Sequence, residues 1–184
     1  MKTYLQNYHS MQLPGESGKD TVHRLQPLLL QKAWTDLFPE SRPGPSDFVQ
    51  VRTVSGKPYL PAHPGFHYNF SDSGEYLVLA VSPDREIGID LQKITPVRTG
   101  PLHLAERFFH PDDVQLLRKE EDPQQQLFLF FRIWTVKEAF VKCTGAGLSG
   151  GMSRFPADFN TCRIKDKTFT ELTPPTGYFL TVVE

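Results

Sequence analysis

Cysteine is almost missing from this chain: Cys143 and Cys162 are the two among 184 residues. Neither has a second ligand at the short spacing of a zinc site, so a disulfide framework and a structural zinc both lack support, and two reduced thiols are expected. The six histidines, His9, His23, His63, His67, His103 and His110, are scattered without an HxH or HExxH pair, which removes the usual basis for a transition-metal centre. No apolar run approaches the ~20 residues that cross a bilayer, and the opening Met1-Lys2-Thr3-Tyr4-Leu5-Gln6 has no apolar leader segment. Charge of neither sign dominates. A formal net charge of −1 gives no electrostatic reason for a nucleic-acid partner. GxGxxG, P-loop and GxSxG motifs are absent, which removes the simplest dinucleotide, NTPase and hydrolase readings. These absences lead to the expectation of a soluble cytoplasmic protein with no membrane and no nucleic-acid partner.

Apolar residues make up 39% of the chain and aromatics 12%, ample for a packed core. The pattern predicts an α+β protein with mainly antiparallel strands, in one compact unit. A strand is expected at Thr3–Tyr8 and a helix at Thr21–Phe38, with Leu25, Leu28, Leu29 and Ala33 as its apolar stripe. Pro27 fits best in the first turn of that helix and Pro39 stops it. Arg42–Ser46 reads as a loop, Phe48–Thr53 as a short strand, and Ser55–Pro58 as a turn. A strand through Tyr76–Val81 and one through Ile87–Leu91 flank Pro83-Asp84-Arg85, which suggests a hairpin. Helices are expected at Leu102–Phe109, Pro111–Lys119 and Leu127–Thr144, with Glu120–Gln126 as a connector and Gly145 as a C-cap. Short strands near Phe155–Asp158, Cys162–Ile164, Thr168–Leu172 and Tyr178–Val183 complete the chain.

Two stretches carry chemistry. In Glu86–Gln92, period-two alternation puts Ile87, Ile89 and Leu91 on one face and Gly88, Asp90 and Gln92 on the other. Gly88 leaves room beside Asp90 for a close approach to the backbone. In Trp134–Lys142, helical spacing puts Trp134, Glu138 and Lys142 in one stripe. An acid from a strand and an acid from a helix is one way to hold a magnesium ion, and lysines beside it suit a phosphate or pyrophosphate. The other reading of Glu138 and Lys142 is an ordinary surface pair, worth roughly 0.2–0.5 kcal/mol.

Five motifs in order make the reading more specific: Gly56-Lys57-Pro58, Asn69–Gly74, Gly88-Ile89-Asp90, Arg107-Phe108-Phe109 and Trp134–Leu148. Their order and spacing resemble the 4′-phosphopantetheinyl transferases of the Sfp type, over roughly residues 21 to 183. The resemblance implies two α/β halves related by a pseudo-two-fold, here 1–98 and 99–184, and a monomer. It also implies magnesium-dependent transfer of the phosphopantetheine arm of coenzyme A to a serine of an acyl or peptidyl carrier protein.

By the same resemblance, Asp90, Glu138 and Gln92 would address the metal, and Glu138, Lys142 and Asp90 would be catalytic. Glu138 would also be the general base, and Lys142 would stabilise charge on the pyrophosphate. Lys57, Ser71, Asp72, Arg24 and Lys142 would contact coenzyme A, with Arg24 at the nucleotide end or else a surface arginine. Lys137 is either structural or a ligand contact. Trp134 and Phe109 would pack the helix, and Gly145 and Gly147 would end it. Three positions depart from the family pattern: Asp72 stands where histidine is usual, Gln92 where a second strand glutamate is common, and Ala146 where many relatives have lysine. Asp72, Gln92 and a stretch before the first helix that is shorter than relatives generally carry leave an alternative reading, a non-catalytic or altered-donor member of the fold that binds carrier protein or a related pyrophosphate ligand.

Overall fold

The computed structural model describes residues 1–147 and 151–184. Leu148, the last residue of the fifth motif, lies outside the described residues. Strand β1 (Lys2–Asn7) opens the chain, and helix α1 (Gly18–Leu37) follows. The short strands β2 (Val51–Arg52) and β3 (Pro58–Tyr59) form a hairpin. Then come β4 (His67–Ser73), β5 (Tyr76–Ser82) and β6 (Gly88–Lys93). Helices α2 (Pro101–Phe108), α3 (Pro111–Lys119) and α4 (Pro123–Thr144) lead to β7 (Arg163–Ile164), β8 (Lys167–Glu171) and β9 (Tyr178–Val183). No helix among the described residues is long and apolar enough to cross a membrane.

The strands form two main sheets, ordered β1-β5-β4 and β6-β9-β8-β7, both antiparallel. Strand β5 explains how they meet. Its sequence Tyr76-Leu77-Val78-Leu79-Ala80-Val81-Ser82 is buried from Leu77 onward, so both of its faces are covered. Leu77, Leu79 and Val81 pack with α1 residues and their neighbours, including Leu25, Leu30 and Ala33. Val78 and Ala80 point the other way, onto Ile87, Ile89, Leu91, Leu180 and Val182. A third core joins α4 to α2, α3 and the second sheet through Phe109, Leu117, Phe130, Ile133, Val136, Ile164 and Phe169.

The Tyr76–Val81 and Ile87–Leu91 strands do not form the expected hairpin. Both edges of β5 are already paired, with β1 and β4, so the turn after Ser82 carries the chain into the other sheet, where β6 pairs with β9. Strand β6 thus precedes residue 98 in sequence yet shares a sheet with the C-terminal strands. Helix α1 starts earlier than its apolar stripe suggests, because Ser17 and Asp20 form a reciprocal capping box. Pro27 is therefore inside the helix, not in its first turn. The buried residues Val22, Leu25, Leu30 and Ala33 hold the helix together across the hydrogen bond that proline cannot donate. Leu28 is 53% exposed and leaves the stripe to Leu30.

Helix α4 likewise begins at Pro123, where Asp122 accepts from the amides of Gln124 and Gln125. Phe48 ends a short 3-10 turn (Pro45–Phe48), which reduces the expected Phe48–Thr53 strand to Val51–Arg52. Of the expected Phe155–Asp158 strand, one bridge remains, between Asp158 and Arg163.

Candidate active site

Strand β6 delivers Asp90 to the seam between the sheets, where 1% of it is exposed. Its Oδ1 accepts from the Ser71 hydroxyl at 2.9 Å and from Lys142 Nζ at 2.6 Å, and its Oδ2 accepts from Gln92 Nε2 at 3.0 Å. Ser71 comes from β4 and Lys142 from α4, so three elements converge on one carboxylate. Glu138 lies one turn before Lys142, half-buried, with no protein hydrogen bond to its carboxylate among the described residues. Burial pushes its carboxyl above the usual range, the Asp90 charge pushes the same way, and Lys142 opposes both.

Gly88 accounts for how closely α4 approaches. A Cβ at Gly88 would overlap the carbonyl of Ala139 and the amide of Cys143. The close approach to the backbone expected at Gly88 is therefore that of α4. At the helix end, Gly145 takes the left-handed conformation (φ 67°) and lets the chain turn off.

Two cavities open onto this cluster. The larger, of about 540 Å³, is lined by the polar residues Ser71, Asp72, Asp90, Gln92, Glu138 and Lys142. Apolar and aromatic residues line it as well: Phe70, Val97, Leu104, Phe130, Phe131 and Trp134. The second, of about 380 Å³, is lined by Gln26, Arg52, Lys57, Asn69 and Gly145 among others. Phe70, Asp72, Glu138 and Lys142 border both, so the acid–lysine pair stands where the two meet. The surface-pair reading of Glu138 and Lys142 gives way: Lys142 is bonded to Asp90 and Ser71, and both residues face the cavities.

Several expected site residues are placed in ways the sequence did not reveal. Lys57 borders the second cavity, but its ammonium pairs with Glu86 and donates to the carbonyl of Cys143 at 2.7 Å, capping α4 at its C-terminus. Arg24 lines neither cavity. Its guanidinium is spent on Glu16, at 2.8 and 2.9 Å, and on the carbonyl of Met11. Asp72 is exposed at the border of both cavities, as its strand position suggests. Trp134 is not simply core: it packs against Phe108, Phe109 and Phe130 and also lines the larger cavity, whereas Phe109 is buried.

Lys137 is structural. It is fully buried, with Nζ donating to the carbonyls of Met152 at 2.8 Å and Phe155 at 2.6 Å. Asp113 Oδ2 lies 2.7 Å from the same ammonium, and the two form an ion pair with both side chains fully buried. Asp113 Oδ1 also accepts from the Ala157 amide, tying the segment after α4 to α3. Burial pulls the Lys137 ammonium down from its ordinary pKa, and Asp113 opposes this. Asp113 gave no sequence signal beyond that of an acid in the first turn of a helix.

Among the described residues no group of three or more His, Cys, Asp or Glu is clustered for a metal. The two carboxylates of Asp90 and Glu138 nevertheless suit magnesium, which takes oxygen donors and commonly uses one or two protein carboxylates, with water and phosphate completing its shell.

A model of the 4′-phosphopantetheinyl transferase superfamily matches residues 86–181, which contain Asp90, Glu138 and Lys142. A 4′-phosphopantetheinyl transferase of Bacillus subtilis is 39% identical over 123 residues, 67% of this chain and 50% of that protein. One of Bacillus pumilus is 44% identical over 103 residues, 56% of this chain and 42% of the relative. An L-aminoadipate-semialdehyde dehydrogenase-phosphopantetheinyl transferase of Rattus norvegicus is 35% identical over 124 residues, 62% and 40% respectively. These matches span half the length of the relatives or less. With more than half of its residues matched by the family model, and with the strand and helix motifs meeting in one site, the chain belongs to the 4′-phosphopantetheinyl transferase superfamily.

Proposed function

We propose that this chain transfers the 4′-phosphopantetheine group from coenzyme A to a serine of an acyl or peptidyl carrier protein, in a magnesium-dependent reaction. The observation that supports this reading is the meeting of Asp90, Glu138 and Lys142 in the lining of one cavity, with Lys142 bonded to Asp90. Asp90 and Glu138 would hold the ion, with Gln92 steadying Asp90 through its amide. When bound, the ion neutralises pyrophosphate charge and fixes its alignment.

The protein's own groups do the rest. Glu138, whose carboxyl is raised by burial and by Asp90, is suited to take the proton of the carrier serine, directly or through a water. The serine oxygen forms a bond to the β-phosphorus as the bond to the nucleotide phosphate breaks. The electron pair leaves on 3′,5′-adenosine bisphosphate. Lys142 moves its ammonium from Asp90 toward the developing charge on that leaving group. The aromatic lining of Phe70, Phe130 and Trp134 suits the uncharged part of the ligand and keeps water from the phosphate.

The test is a mass-shift assay with purified carrier proteins, coenzyme A and magnesium. A carrier gaining one phosphopantetheine group is the expected result. No gain on any carrier, including those of the source organism, would overturn the reading.

Asp72 favours a second reading. Its carboxylate borders both cavities, and the lysines that line them, Lys57 and Lys142, are paired with Glu86 and Asp90, which leaves Arg52 as the lining cation with no carboxylate partner among the described residues. A donor without a 3′-phosphate would escape repulsion by Asp72. Preference for dephospho-coenzyme A over coenzyme A is the outcome this reading requires.

A further inference from the structure

Strands β4 and β6 run side by side, each at the edge of its own sheet, with no backbone pairing between them. An edge strand leaves alternate amides without partners. The amides of Ile89, Leu91 and Lys93 point away from β9, and side chains of β4 take all three. Asn69 Oδ1 accepts from Ile89 at 2.9 Å, Ser71 Oγ from Leu91 at 3.1 Å, and Ser73 Oγ from Lys93 at 3.0 Å. The motif Asn-x-Ser-x-Ser is thus a ladder, made of side chains, that joins the two sheets.

The three rungs are not alike. Asn69 and Ser73 do no more than accept from β6 in this ladder. The Ser71 hydroxyl also donates to Asp90 Oδ1 at 2.9 Å and accepts from Lys142 Nζ at 2.9 Å. One proton given and two bonds accepted use the full capacity of a hydroxyl. Ser71 is 6% exposed; its bonds to Asp90 and from Leu91 are buried, and the one from Lys142 is partly so. The hydroxyl is thus fully engaged within the protein, and the coenzyme A contact expected of Ser71 would have to replace one of these three bonds.

We propose that Ser71 is a positioning residue. From the edge of the neighbouring sheet it sets the Asp90 carboxylate and the Lys142 ammonium relative to one another, while Asn69 and Ser73 hydrogen-bond to neither group. The catalytic importance of that pair rests on the function proposed above. The arrangement itself does not.

The experiment compares Ser71→Ala with Ser73→Ala, each of which removes one rung. Lys142 reactivity toward a water-soluble acetylating reagent, read by peptide mass spectrometry with no metal or donor present, reports whether its ammonium is held. Ser71→Ala is expected to raise the Lys142 labelling rate about tenfold, the scale of one lost charge-assisted hydrogen bond. Ser73→Ala should leave that rate at the wild-type value while lowering the unfolding midpoint. Ser71→Thr, which keeps the hydroxyl, should restore wild-type labelling. Calorimetry with magnesium alone should show weaker binding in Ser71→Ala and unchanged binding in Ser73→Ala. Should alanine at 71 not fold, Ser71→Cys against Ser73→Cys makes the same comparison with a poor hydrogen-bonding atom. Equal Lys142 labelling in the two rung variants would overturn the proposal. A wild-type chain that binds no magnesium would instead count against the functional reading, and the labelling comparison would still decide the ladder.

Discussion

Asp90 Oδ1 accepts from a hydroxyl and an ammonium, whereas Oδ2 accepts from an amide alone. Asparagine in its place keeps the shape and removes the charge. Asp90→Asn should therefore lower transferase turnover by about 10²-fold or more and abolish the magnesium isotherm, with little change in unfolding midpoint. Unchanged turnover in the mass-shift assay would exclude Asp90 from the chemistry. Lys137 obeys different physics, although it neighbours Glu138 in sequence. Its ammonium is matched to Asp113 and two carbonyls in a fully buried pocket. Lys137→Met leaves the Asp113 charge without its partner, which should cost about 3–5 kcal/mol in urea unfolding. Adding Asp113→Leu should recover part of that loss, because the stranded charge is then gone as well. If the single variant unfolds at the wild-type midpoint, the staple has no energetic importance.

At the scale of elements, Gly88 is where helix and strand are closest. Gly88→Ala forces a methyl group into the α4 backbone, which cannot yield as a side chain would. The expected loss is about 3 kcal/mol or more, with Lys142 and Glu138 displaced from Asp90 and turnover reduced with stability. Equal stability in chemical denaturation would contradict so tight a contact. This contact also marks the limit of what the sequence revealed. The alternation around Asp90 and the i, i+4, i+8 stripe of Trp134, Glu138 and Lys142 correctly put these residues on facing surfaces, because periodicity is a local property. What filled the space beside Gly88 was not legible, since it depends on which element packs there. The Asn69–Ser73 segment was readable as a motif but not as a strand, because its residues are polar where they serve as a sheet's missing partners. Pro27 and the start of α1 were misplaced for a similar reason. An apolar stripe shows where a helix is buried, whereas the capping box at Ser17 and Asp20 shows where it begins.

Across the whole molecule, acid sensitivity follows from carboxylates held in their charged form. Glu16 is pulled from its ordinary value of 4.5 to about 2, first by hydrogen bonds from Arg24, then by the Leu13 amide and the Thr21 hydroxyl. A folded-state pKa below the unfolded one means that this stabilisation is complete above about pH 4.5. It declines as pH falls and is gone below about pH 2. Glu16→Gln should therefore lower the urea midpoint at pH 7 and flatten its decline between pH 4.5 and 2. An unchanged acid slope would show that other groups set it. The same pair keeps Arg24 away from the cavities, so Glu16→Gln also tests whether the freed arginine strengthens coenzyme A binding in calorimetry. Finally, β5 serves two cores at once, Leu77, Leu79 and Val81 facing one and Val78 and Ala80 the other. A one-residue slip of this strand would exchange its two faces and disturb both cores together. The register of β5 is therefore specified from both of its faces, and with it the seam between the sheets at which Asp90 and Lys142 meet.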